Sequence, residues 1–295
     1  MELVVTIDEL KDIQIYAEAG ATVFLFADEF HGTRVAKKMQ LDEIIQGVQL
    51  VKELGLKTAL MMNRIYTDAE INKIEEMLVF AKDTEIDWIY YNDPAVFMCA
   101  EEIDLISHLV YEPDTLMTNS RDMQFILNQG VHHAVLSTEI TLDEMKTMTR
   151  NVNGNTEAIL FGYLNMSYSK RHLIQNYCDE IGIENTYQDA MNMVLIESTR
   201  EGRMPIIEDA QGTHIFTDYV LDAFNEIVEL NKEGLQVVRV DGIFLSRDCI
   251  ADACRAFRMI LSGLPSEIIK QKFEEKYPTI PWSTGYMYQK TNLVK

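Results

Sequence analysis

The sequence of 295 residues lacks several features that define whole classes of protein. No apolar stretch approaches the ~20 residues that a membrane-spanning helix needs. With 47% hydrophobic residues, 25% charged residues and only 6 Pro, the composition also excludes collagen-like, low-complexity and disordered chains. What remains is a folded globular protein, whose length suits one large domain or two ordinary ones.

Cysteine is scarce, and the N-terminus carries no export signal. Residues 1–10 contain neither a basic segment nor an apolar run, so we expect a cytoplasmic protein. Four Cys in a chain of this length then predict free thiols rather than a disulfide framework. All four fall in helical stretches, where thiols usually pack as small hydrophobic groups: Cys99, Cys178, Cys249 and Cys254.

Positive charge is in short supply. The chain has 26 Lys and Arg against 47 Asp and Glu, which gives a formal net charge of -21. Phosphate binding draws its affinity from clustered Lys and Arg, and an acidic field repels polyanions. The charge balance therefore disfavours unassisted binding of nucleic acid, unless a local basic patch or a basic partner overcomes it.

The sequence motifs of common catalytic sites are also missing. There is no H-E-x-x-H, G-x-S-x-G, C-x-x-C or phosphate-binding P-loop. His132 and His133 are neighbours in a predicted strand, so we expect them to point to opposite faces, where they cannot chelate one ion. The sequence thus presents no activated nucleophile and no metal-ligand set.

A repeated strand–helix unit is what the sequence does contain. Near-continuous apolar runs, four of which open with a glycine, mostly end on a polar residue, and such runs are typical of parallel strands covered by helices. Amphipathic segments with helix-cap residues lie between them. The runs number about eight: Leu3–Ile7, Gly20–Asp28, Gly55–Asn63, Ile86–Asp93, His108–Glu112, Gly130–Glu139, Ala158–Leu164 and Gly234–Asp241. This count predicts an α/β fold, a (β/α)8 TIM-type barrel, with a doubly wound open sheet as the alternative.

One segment interrupts the repeat. Residues 183–216 form an insertion after about the seventh strand, with strand-like stretches at Val194–Ser198 and Ile206–Phe216. We predict a single barrel domain over residues 1–264 that includes this insertion. Residues 265–295 are predicted to form a C-terminal extension that packs on the barrel.

Polar residues at the ends of the predicted strands are the candidates for catalysis. Barrel active sites lie at the C-terminal ends of strands, so these side chains are expected to converge on one mouth. Carboxylates there could do acid/base work or, through Asp28, Glu139, Asp209 and Asp241, hold a divalent metal. The alternative for each is that it caps the following helix. The candidates are Asp28, Asn63, Asn92, Asp93, Glu139 and Asp241, with Thr6 in the same kind of position.

A second candidate site lies in residues 157–181. A predicted strand runs to Gly162, and hydroxyl groups then precede a helix that is predicted to open with two cations. Hydroxyls and cations at a helix N-terminus predict a pocket for an anion, whereas the alternative is an ordinary Ser cap. The candidate substrate- or anion-binding residues are Ser167, Ser169, Lys170, Arg171, Glu208 and Asp209, with Arg64 as a further cation.

The same stretch carries a resemblance to a known family. The pattern Glu157…Gly162…Ser167-Tyr168-Ser169…Arg171…Leu173 resembles the signature of the collagenase-like peptidases of unassigned catalytic type, the thirty-second such family. Four further segments are similar to that family: Asn92–Phe97, Leu136–Met145, Pro205–Phe216 and Val237–Phe244. The resemblance covers about residues 3–264 and implies a barrel fold.

The resemblance also implies several activities and one cofactor. Some branches act in prephenate-dependent 5-hydroxylation of tRNA uridine, others in hydroxylation of a ribosomal RNA cytidine or of ubiquinone, with an iron–sulfur cluster on four cysteines. Here the cluster positions that can be placed hold Asn165, His172 and Asp222, and the family's E-G-R becomes Asp241–Ile243. Because a cluster needs converging thiolates, we expect no iron–sulfur cluster, no metal and no firmly bound cofactor, with prephenate as a candidate co-substrate.

The short chain, the lost cysteines and the segment Ser169–Tyr177 look most like the smaller member of a two-protein tRNA-hydroxylating pair of bacteria. This implies an accessory or substrate-positioning subunit, in a hetero-oligomer with a cluster-bearing homologue that would bring the tRNA. Two alternatives stay open: a collagenase-like peptidase, metal-dependent or not, and a non-catalytic barrel that binds a partner.

Overall fold

Parallel strands that pair in chain order form the wall of a barrel in the computed structural model, which describes residues 1–187, 190–198 and 202–289. Each strand is an apolar run that the sequence pattern predicts, hydrogen-bonded to the next run along the chain. The first seven are β1 (Glu2–Thr6), β2 (Val23–Ala27), β3 (Lys57–Met62), β4 (Trp88–Tyr91), β5 (Leu109–Tyr111), β6 (His133–Val135) and β7 (Asn155–Ser169).

Helices connect these strands and cover the outside of the barrel. Side chains cap the starts of some of them. The Asn119 side chain accepts the N–H groups of Arg121 and Asp122 in the fifth helix, and Thr141 forms a capping box with Glu144 at the sixth. These helices are α1 (Asp12–Glu18), α2 (Leu41–Glu53), α3 (Ile71–Asp83), α4 (Pro94–Glu102), α5 (Ser120–Leu127) and α6 (Leu142–Asn151).

The chain leaves the barrel after β7, in an excursion longer than the predicted 183–216. It contains α7 (Leu173–Ile181), β8 (Val194–Ile196), β9 (Arg203–Asp209) and β10 (Gly212–Asp222). The predicted strand end at Gly162 is wrong, because the outer half of β7 pairs antiparallel with β10 as far as Ser169. We call the described residues of this excursion (163–187, 190–198 and 202–222) the inserted hairpin region. It stands over the C-terminal ends of the barrel strands, where Leu164 and Phe216 line a cavity together with Asn63.

The barrel closes after this region. α8 (Glu226–Lys232) leads to β11 (Val237–Val240), which pairs in parallel with both β1 and β7. With β11 as the eighth strand, the predicted (β/α)8 TIM-type barrel is confirmed.

The C-terminal part of the chain packs against the barrel. It contains α9 (Arg247–Leu261), α10 (Ser266–Lys276) and β12 (Trp282–Ser283), which pairs with β10. Phe273 and Met287 are buried, and Lys270 Nζ lies 2.6 Å from Asp222 Oδ1. The division of the chain into units at residue 264 stays a prediction.

Two apolar layers share the strands. Along β2, Val23 and Leu25 point into the barrel, while Phe24 and Phe26 pack against the surrounding helices, as the period-two geometry of a strand requires. Within the described parts of the chain, no helix is long and apolar enough to cross a membrane.

Candidate functional site

The barrel mouth contains a small cavity of about 50 Å³, which we call the mouth cavity. Asn63 and Asp241, two of the predicted strand-end candidates, line it together with Asn165 from the extended half of β7. Its other walls are mixed polar and apolar: Arg34, Met61, Glu112, Asp114, Thr115, Val135, Leu136, Thr138, Ile159, Tyr163, Leu164 and Phe216. A cavity lined by polar residues at the strand ends is where a barrel places a site.

A buried network of charges lies in the barrel interior, next to the mouth cavity. Arg239 on β11 is fully buried, and its guanidinium pairs with Glu112 at the end of β5. Its Nε lies 3.2 Å from Glu157 Oε1, and the other oxygen of Glu157 bonds to His133 Nε2 and to the Tyr90 hydroxyl, both at 2.7 Å. Each charged group of the network thus meets an opposite charge or a donor, as buried charges require.

Burial and charge act in opposite directions on the carboxyl groups here. Burial raises the pKa of Glu112 and of Asp241 above the ordinary range. Burial also opposes ionisation of Glu157, but Arg239 and His133 outweigh it and lower the pKa of that carboxyl. The interior therefore keeps one firmly ionised carboxylate beside carboxyls that hold their protons more tightly.

Arg34 is the cation at the rim of the mouth cavity. Its Nη2 donates to both carboxylate oxygens of Asp114, at 3.0 and 3.1 Å. Both residues have a positive φ, +59° for Arg34 and +57° for Asp114, a conformation that is uncommon outside glycine and concentrates at functional sites. The Nη1 atom of Arg34 is buried and has no hydrogen-bond partner within the residues that the structure describes.

A larger pocket of about 490 Å³ opens on the other side of Arg34, and we call it the side pocket. It lies between the loop after β2 and the inserted hairpin region. Its lining consists of Glu29, Arg34, Val35, Ala36, Lys37, Lys38, Met191, Ile207, Asp209, Ala210 and His214. Three cations and two carboxylates line this pocket, so it is less acidic than the chain as a whole.

Three of the strand-end candidates hold loops in place. Asp28 accepts the backbone N–H groups of Phe30 and His31 and pairs with His31 Nδ1 at 2.9 Å. The Asn63 side chain accepts the Thr33 N–H and donates to the Thr33 carbonyl oxygen. The Asp93 carboxylate caps α4 and also accepts the Tyr66 N–H. The capping alternative describes the contacts of Asp93, and Asp28 stabilises its own loop in a similar way.

The remaining strand-end candidates differ in their surroundings. Glu139 is exposed, and Asn92 has a buried Oδ1 with no hydrogen-bond partner in the described part of the chain. Asp241 accepts the Ile243 N–H at 3.1 Å, and Thr6 Oγ1 accepts the Gly242 N–H at 2.7 Å. Of the predicted candidates, Asn63 and Asp241 are thus the pair that the structure brings to the mouth cavity.

The expectation that Asp28, Glu139, Asp209 and Asp241 could hold one metal is not met. Within residues 1–187, 190–198 and 202–289, no group of three or more His, Cys, Asp or Glu side chains is placed to bind an ion. The expectation that the side chains of His132 and His133 point to opposite faces of a strand is also wrong. His132 precedes β6, and its Nδ1 lies 2.7 Å from Nδ1 of His133.

The predicted anion site at the start of α7 is filled by the protein itself. The helix begins at Leu173, later than predicted, and the Glu208 carboxylate accepts the N–H groups of Ile174 and Gln175 at 2.7 and 2.9 Å. An internal carboxylate therefore takes the position that an external anion would need. Lys170 donates to the Ile65 carbonyl, and Arg171 is exposed.

The other residues of that prediction are dispersed. Ser167 is exposed, and the Ser169 hydroxyl accepts the Arg171 N–H at 3.2 Å. Asp209 pairs with Lys38 at the side pocket. Burial raises the pKa of the Asp209 carboxyl, but His214, Lys38 and the Gln211 N–H outweigh it and hold this pKa far below its usual range. Arg64 pairs with Glu70 and lies over the Phe30 ring.

The residues at the family's cluster positions do not fit an iron–sulfur cluster. Asn165 lines the mouth cavity, His172 is exposed beside α7, and Asp222 is fully buried against Lys270. The four thiols lie on three different helices, α4, α7 and α9, and are free. Since a cluster needs thiolates at one point, these positions offer no equivalent set. That the chain carries no cluster stays a prediction.

Sequence reasoning missed most of the side chains in the charge network and Arg34. Arg239 interrupts the apolar run VVRV, and Glu157 directly precedes the predicted strand Ala158–Leu164. A charge within a run that must be buried was the available signal, because such a charge needs a partner. Arg34 gave no signal, since it lies in a loop whose path depends on the rest of the fold.

Comparison with known proteins places this site in a family. The sequence profile of peptidase family U32 matches residues 8–293. The chain belongs to peptidase family U32. Among solved structures, the U32 peptidase Mk0906 is similar with a TM-score of 0.52 and 14% identity, over 81% of this chain and 92% of that chain. At this identity the likeness shows the barrel fold alone.

Three further proteins are similar in sequence to this U32 protein. "tRNA hydroxylation protein P2" of Bacillus subtilis is 28% identical over 87% of this chain and 84% of its own length. "tRNA hydroxylation protein P1" of the same organism is 22% identical over 60% of this chain and 42% of its length. "Uncharacterized protease MJ0090" of Methanocaldococcus jannaschii is 22% identical over 99% of this chain and 74% of its length.

Proposed function

We propose that this U32 protein is a substrate-positioning subunit in tRNA hydroxylation, acting on uridine C5 with prephenate as co-substrate. The observation that carries the proposal is the similarity to tRNA hydroxylation protein P2, which extends over 87% of this chain and 84% of that protein. Similarity to protein P1 supports a paired system, in which a homologue carries the cluster that this chain's residues do not fit. The chain works in the cytoplasm, where tRNA is modified.

A surface on α7 supports the role of a partner-binding subunit. Leu173, Tyr177 and Ile181 are spaced four residues apart on one face of the helix and are 42%, 63% and 49% exposed. A different face, with Ile174 and Cys178, is buried against Ile206 of β9. Contiguous exposed apolar side chains mark interaction surfaces, so α7 is where the homologue contacts this chain.

The peptidase alternative has less support in the contacts. His31 pairs with a strand-end carboxylate, as a general base would. Its second nitrogen, Nε2, lies 3.1 Å from the Lys73 carbonyl, so it is not available to a nucleophile. His133 is likewise bound on both sides, to Glu157 and to His132.

The test is mass spectrometry of tRNA nucleosides from cells with and without this gene. We expect 5-hydroxyuridine derivatives to disappear on deletion and to return when the wild-type gene is restored. Unchanged nucleosides, in a strain that also lacks other U32 homologues with the same activity, would contradict the proposal. Gelatin hydrolysis by the purified protein would favour the peptidase instead.

Partner binding is tested with a matched pair of variants. Tyr177→Glu places a charge in the α7 face, and we expect it to abolish co-purification with the cluster-bearing homologue and to lower tRNA hydroxylation in cells. Met98→Glu introduces the same charge at another exposed apolar side chain, 58% exposed on α4, and is expected to keep both. Equal behaviour of the two variants would remove α7 from the interface.

A further inference from the structure

A groove of about 420 Å³ opens between α9 and α10, and we call it the α9–α10 groove. Its lining comes from the two helices and from the turn that joins them. It shares no residue with the mouth cavity or with the side pocket. The proposed role in tRNA hydroxylation makes no use of it.

The α9–α10 groove exposes a set of apolar side chains that the fold leaves uncovered. Ala256 and Phe273 are buried and form its floor. Met259, Leu264 and Ile268 line its walls and are 43%, 48% and 52% exposed. Apolar side chains that stay exposed next to one another mark interaction surfaces.

The charged side chains of α10 are sorted between its two sides. Lys272 and Lys276 are four residues apart, so they lie on one face of the helix, and both line the groove. The acidic residues of the same helix lie outside the lining: Glu267, Glu274 and Glu275. The side of α10 that faces the groove is therefore basic, although the helix as a whole is not.

The positive charge of the groove is only partly neutralised from within. Asp252 is the one carboxylate among the described residues of its lining, and it pairs with both Arg255 and Lys276. Three cations against one carboxylate leave two positive charges in excess. This local excess lies on a chain whose formal net charge is -21, so the sign of the charge is reversed at the groove.

Shape and charge together favour a helix as the occupant. α10 has 11 residues and is about 16 Å long, which matches roughly three turns of a second helix laid beside it. Packing of an amphipathic helix into an apolar groove is a recurring mode of recognition. Acidic side chains that flank the apolar stripe of such a helix would meet the cations at the rim.

Two other occupants fit the groove less well. A symmetric contact with a second copy of this chain would bring Arg255, Lys272 and Lys276 against the same cations of the other copy. A membrane surface is flat, so it would meet the cations of the rim without reaching Phe273 at the floor.

We propose that the α9–α10 groove binds an amphipathic helix of a partner protein. The apolar stripe of that helix packs between α9 and α10, and its Asp or Glu side chains pair with the rim cations. This partner is distinct from the homologue proposed to contact α7, because the groove shares no residue with that helix. The inference does not depend on the role in tRNA hydroxylation.

The experiment is calorimetric titration of the purified full chain with a three-turn amphipathic peptide whose Leu stripe is flanked by Glu. The same peptide with Lys in place of every Glu is titrated in parallel. We expect the Glu peptide to bind with a submillimolar Kd, at least about tenfold more tightly than the Lys peptide at low salt, and the difference to shrink at high salt. Absence of binding by the Glu peptide, or equal affinities of the two, would overturn the proposal.

Variants locate the peptide. Ile268→Glu places a charge on the apolar wall and is expected to weaken binding of the Glu peptide at least about tenfold. Lys272→Glu reverses one rim charge and is expected to reduce the preference for the Glu peptide by about threefold or more. Both positions are exposed, so the melting temperature should not change.

Arg121→Glu is the matched control, because it reverses an exposed cation on α5 that does not line the groove. It should bind the Glu peptide as the wild type does. Unchanged binding in both Ile268→Glu and Lys272→Glu would place the peptide elsewhere and overturn the proposal.

Two further outcomes would assign the groove to a different occupant. Concentration-dependent dimerisation of the wild type in analytical ultracentrifugation, lost in Ile268→Glu, would show that a second copy covers the groove. Co-sedimentation with phosphatidylglycerol vesicles, lost in the same variant, would show that a membrane does. Either result would overturn the proposal.

Discussion

Arg239 is a fully buried charge in a strand whose other residues are apolar. Its position is favourable only because β5 and β7 bring Glu112 and Glu157 to it from residues far away in the sequence. Removing one partner of a buried ion pair leaves the remaining charge buried without an opposite charge. The resulting loss of stability is larger than the net stabilisation that the intact pair contributes. The network is therefore the part of the barrel interior most sensitive to single substitutions.

Arg239→Leu is expected to lower the free energy of unfolding by about 3–5 kcal/mol, since Glu112 and Glu157 would stay buried without their cation. Urea denaturation followed by circular dichroism measures the loss. The control is Arg255→Leu, which removes a half-exposed guanidinium paired with Asp252 and should cost at most about 1 kcal/mol. Equal losses in the two variants would contradict a network stabilised by Arg239.

Asp222 gives a prediction for the pH dependence of stability. Burial raises its pKa to about 7, although Lys270 acts in the other direction. The folded chain therefore binds a proton that the unfolded chain, with an Asp pKa near 3.8, has lost. The contribution of Asp222 to stability is full below about pH 4 and is lost as the pH rises to about 7.

Asp222→Asn removes this titration. We expect the stability of the variant relative to the wild type to increase between about pH 4 and pH 7, by at most about 4 kcal/mol for a shift of three pKa units. Urea unfolding at pH 5, 6, 7 and 8 measures it. Asp143→Asn changes an exposed carboxylate and should follow the wild-type curve. Parallel curves for Asp222→Asn and the wild type would contradict the raised pKa.

At the scale of elements, α7 shows how a helix start is decided by tertiary contacts. The local sequence, with Ser169 and two cations, is typical of a helix that begins near residue 170. The helix begins at Leu173 instead, where Thr213 and Glu208 from the inserted hairpin region accept the N–H groups of its first turn. An anion therefore does occupy this helix N-terminus, and it is part of the chain.

Glu208→Ala is expected to destabilise α7 by about 1–2 kcal/mol, because two backbone donors lose a charged acceptor. Hydrogen exchange of the Ile174 and Gln175 amides should accelerate about tenfold or more, since 1.4 kcal/mol corresponds to a factor of 10. Glu180→Ala, at an exposed position of the same helix, is the control and should leave these two amides unchanged. Unchanged exchange in Glu208→Ala would mean that the carboxylate does not cap the helix.

Gly162 marks the point where β7 stops being a barrel strand and becomes the base of the inserted hairpin region. Its φ is +125°, and an added Cβ would lie 2.4 Å from the Asp241 carbonyl oxygen. A side chain there would force apart β7 and the end of β11, which are adjacent strands of the closed barrel. The glycine predicted as a strand end thus permits close contact between strands rather than a chain reversal.

For the whole molecule, the net charge of -21 restricts how tRNA can be bound. The cations of the mouth and side pocket are mostly paired, as Arg34 is with Asp114 and Lys38 with Asp209. Few positive charges are therefore free to displace counterions from phosphates. If the protein takes part in tRNA hydroxylation, the partner supplies most of the electrostatic attraction.

The purified chain alone is expected to bind tRNA with a Kd no tighter than ~100 µM at physiological salt, the weak end of non-specific binding. Filter binding between 50 and 200 mM salt measures it, and the same assay is repeated with the co-purified homologue, where tight binding should return. Micromolar binding by the chain alone would contradict a partner-dependent role. The Tyr177→Glu chain mixed with the homologue serves as the control, because it should add nothing to the tRNA binding of the homologue alone.

Local sequence patterns are enough to predict the barrel, since near-continuous apolar runs and amphipathic segments with cap residues repeat along the chain. The acidic charge follows from composition, and the signature around Glu157 indicates the family. The site depends on the folded chain, because Arg34, Glu112, Asp114 and Arg239 meet only when the barrel closes. Local patterns of residues predict secondary structure and burial, whereas the partner of a buried charge can lie far away in the chain. Glu112 and Arg239, for example, are 127 positions apart. For the same physical reason, the strand ends Asn63 and Asp241 could be predicted as neighbours of the mouth, but Glu208 could not be predicted as the cap of α7.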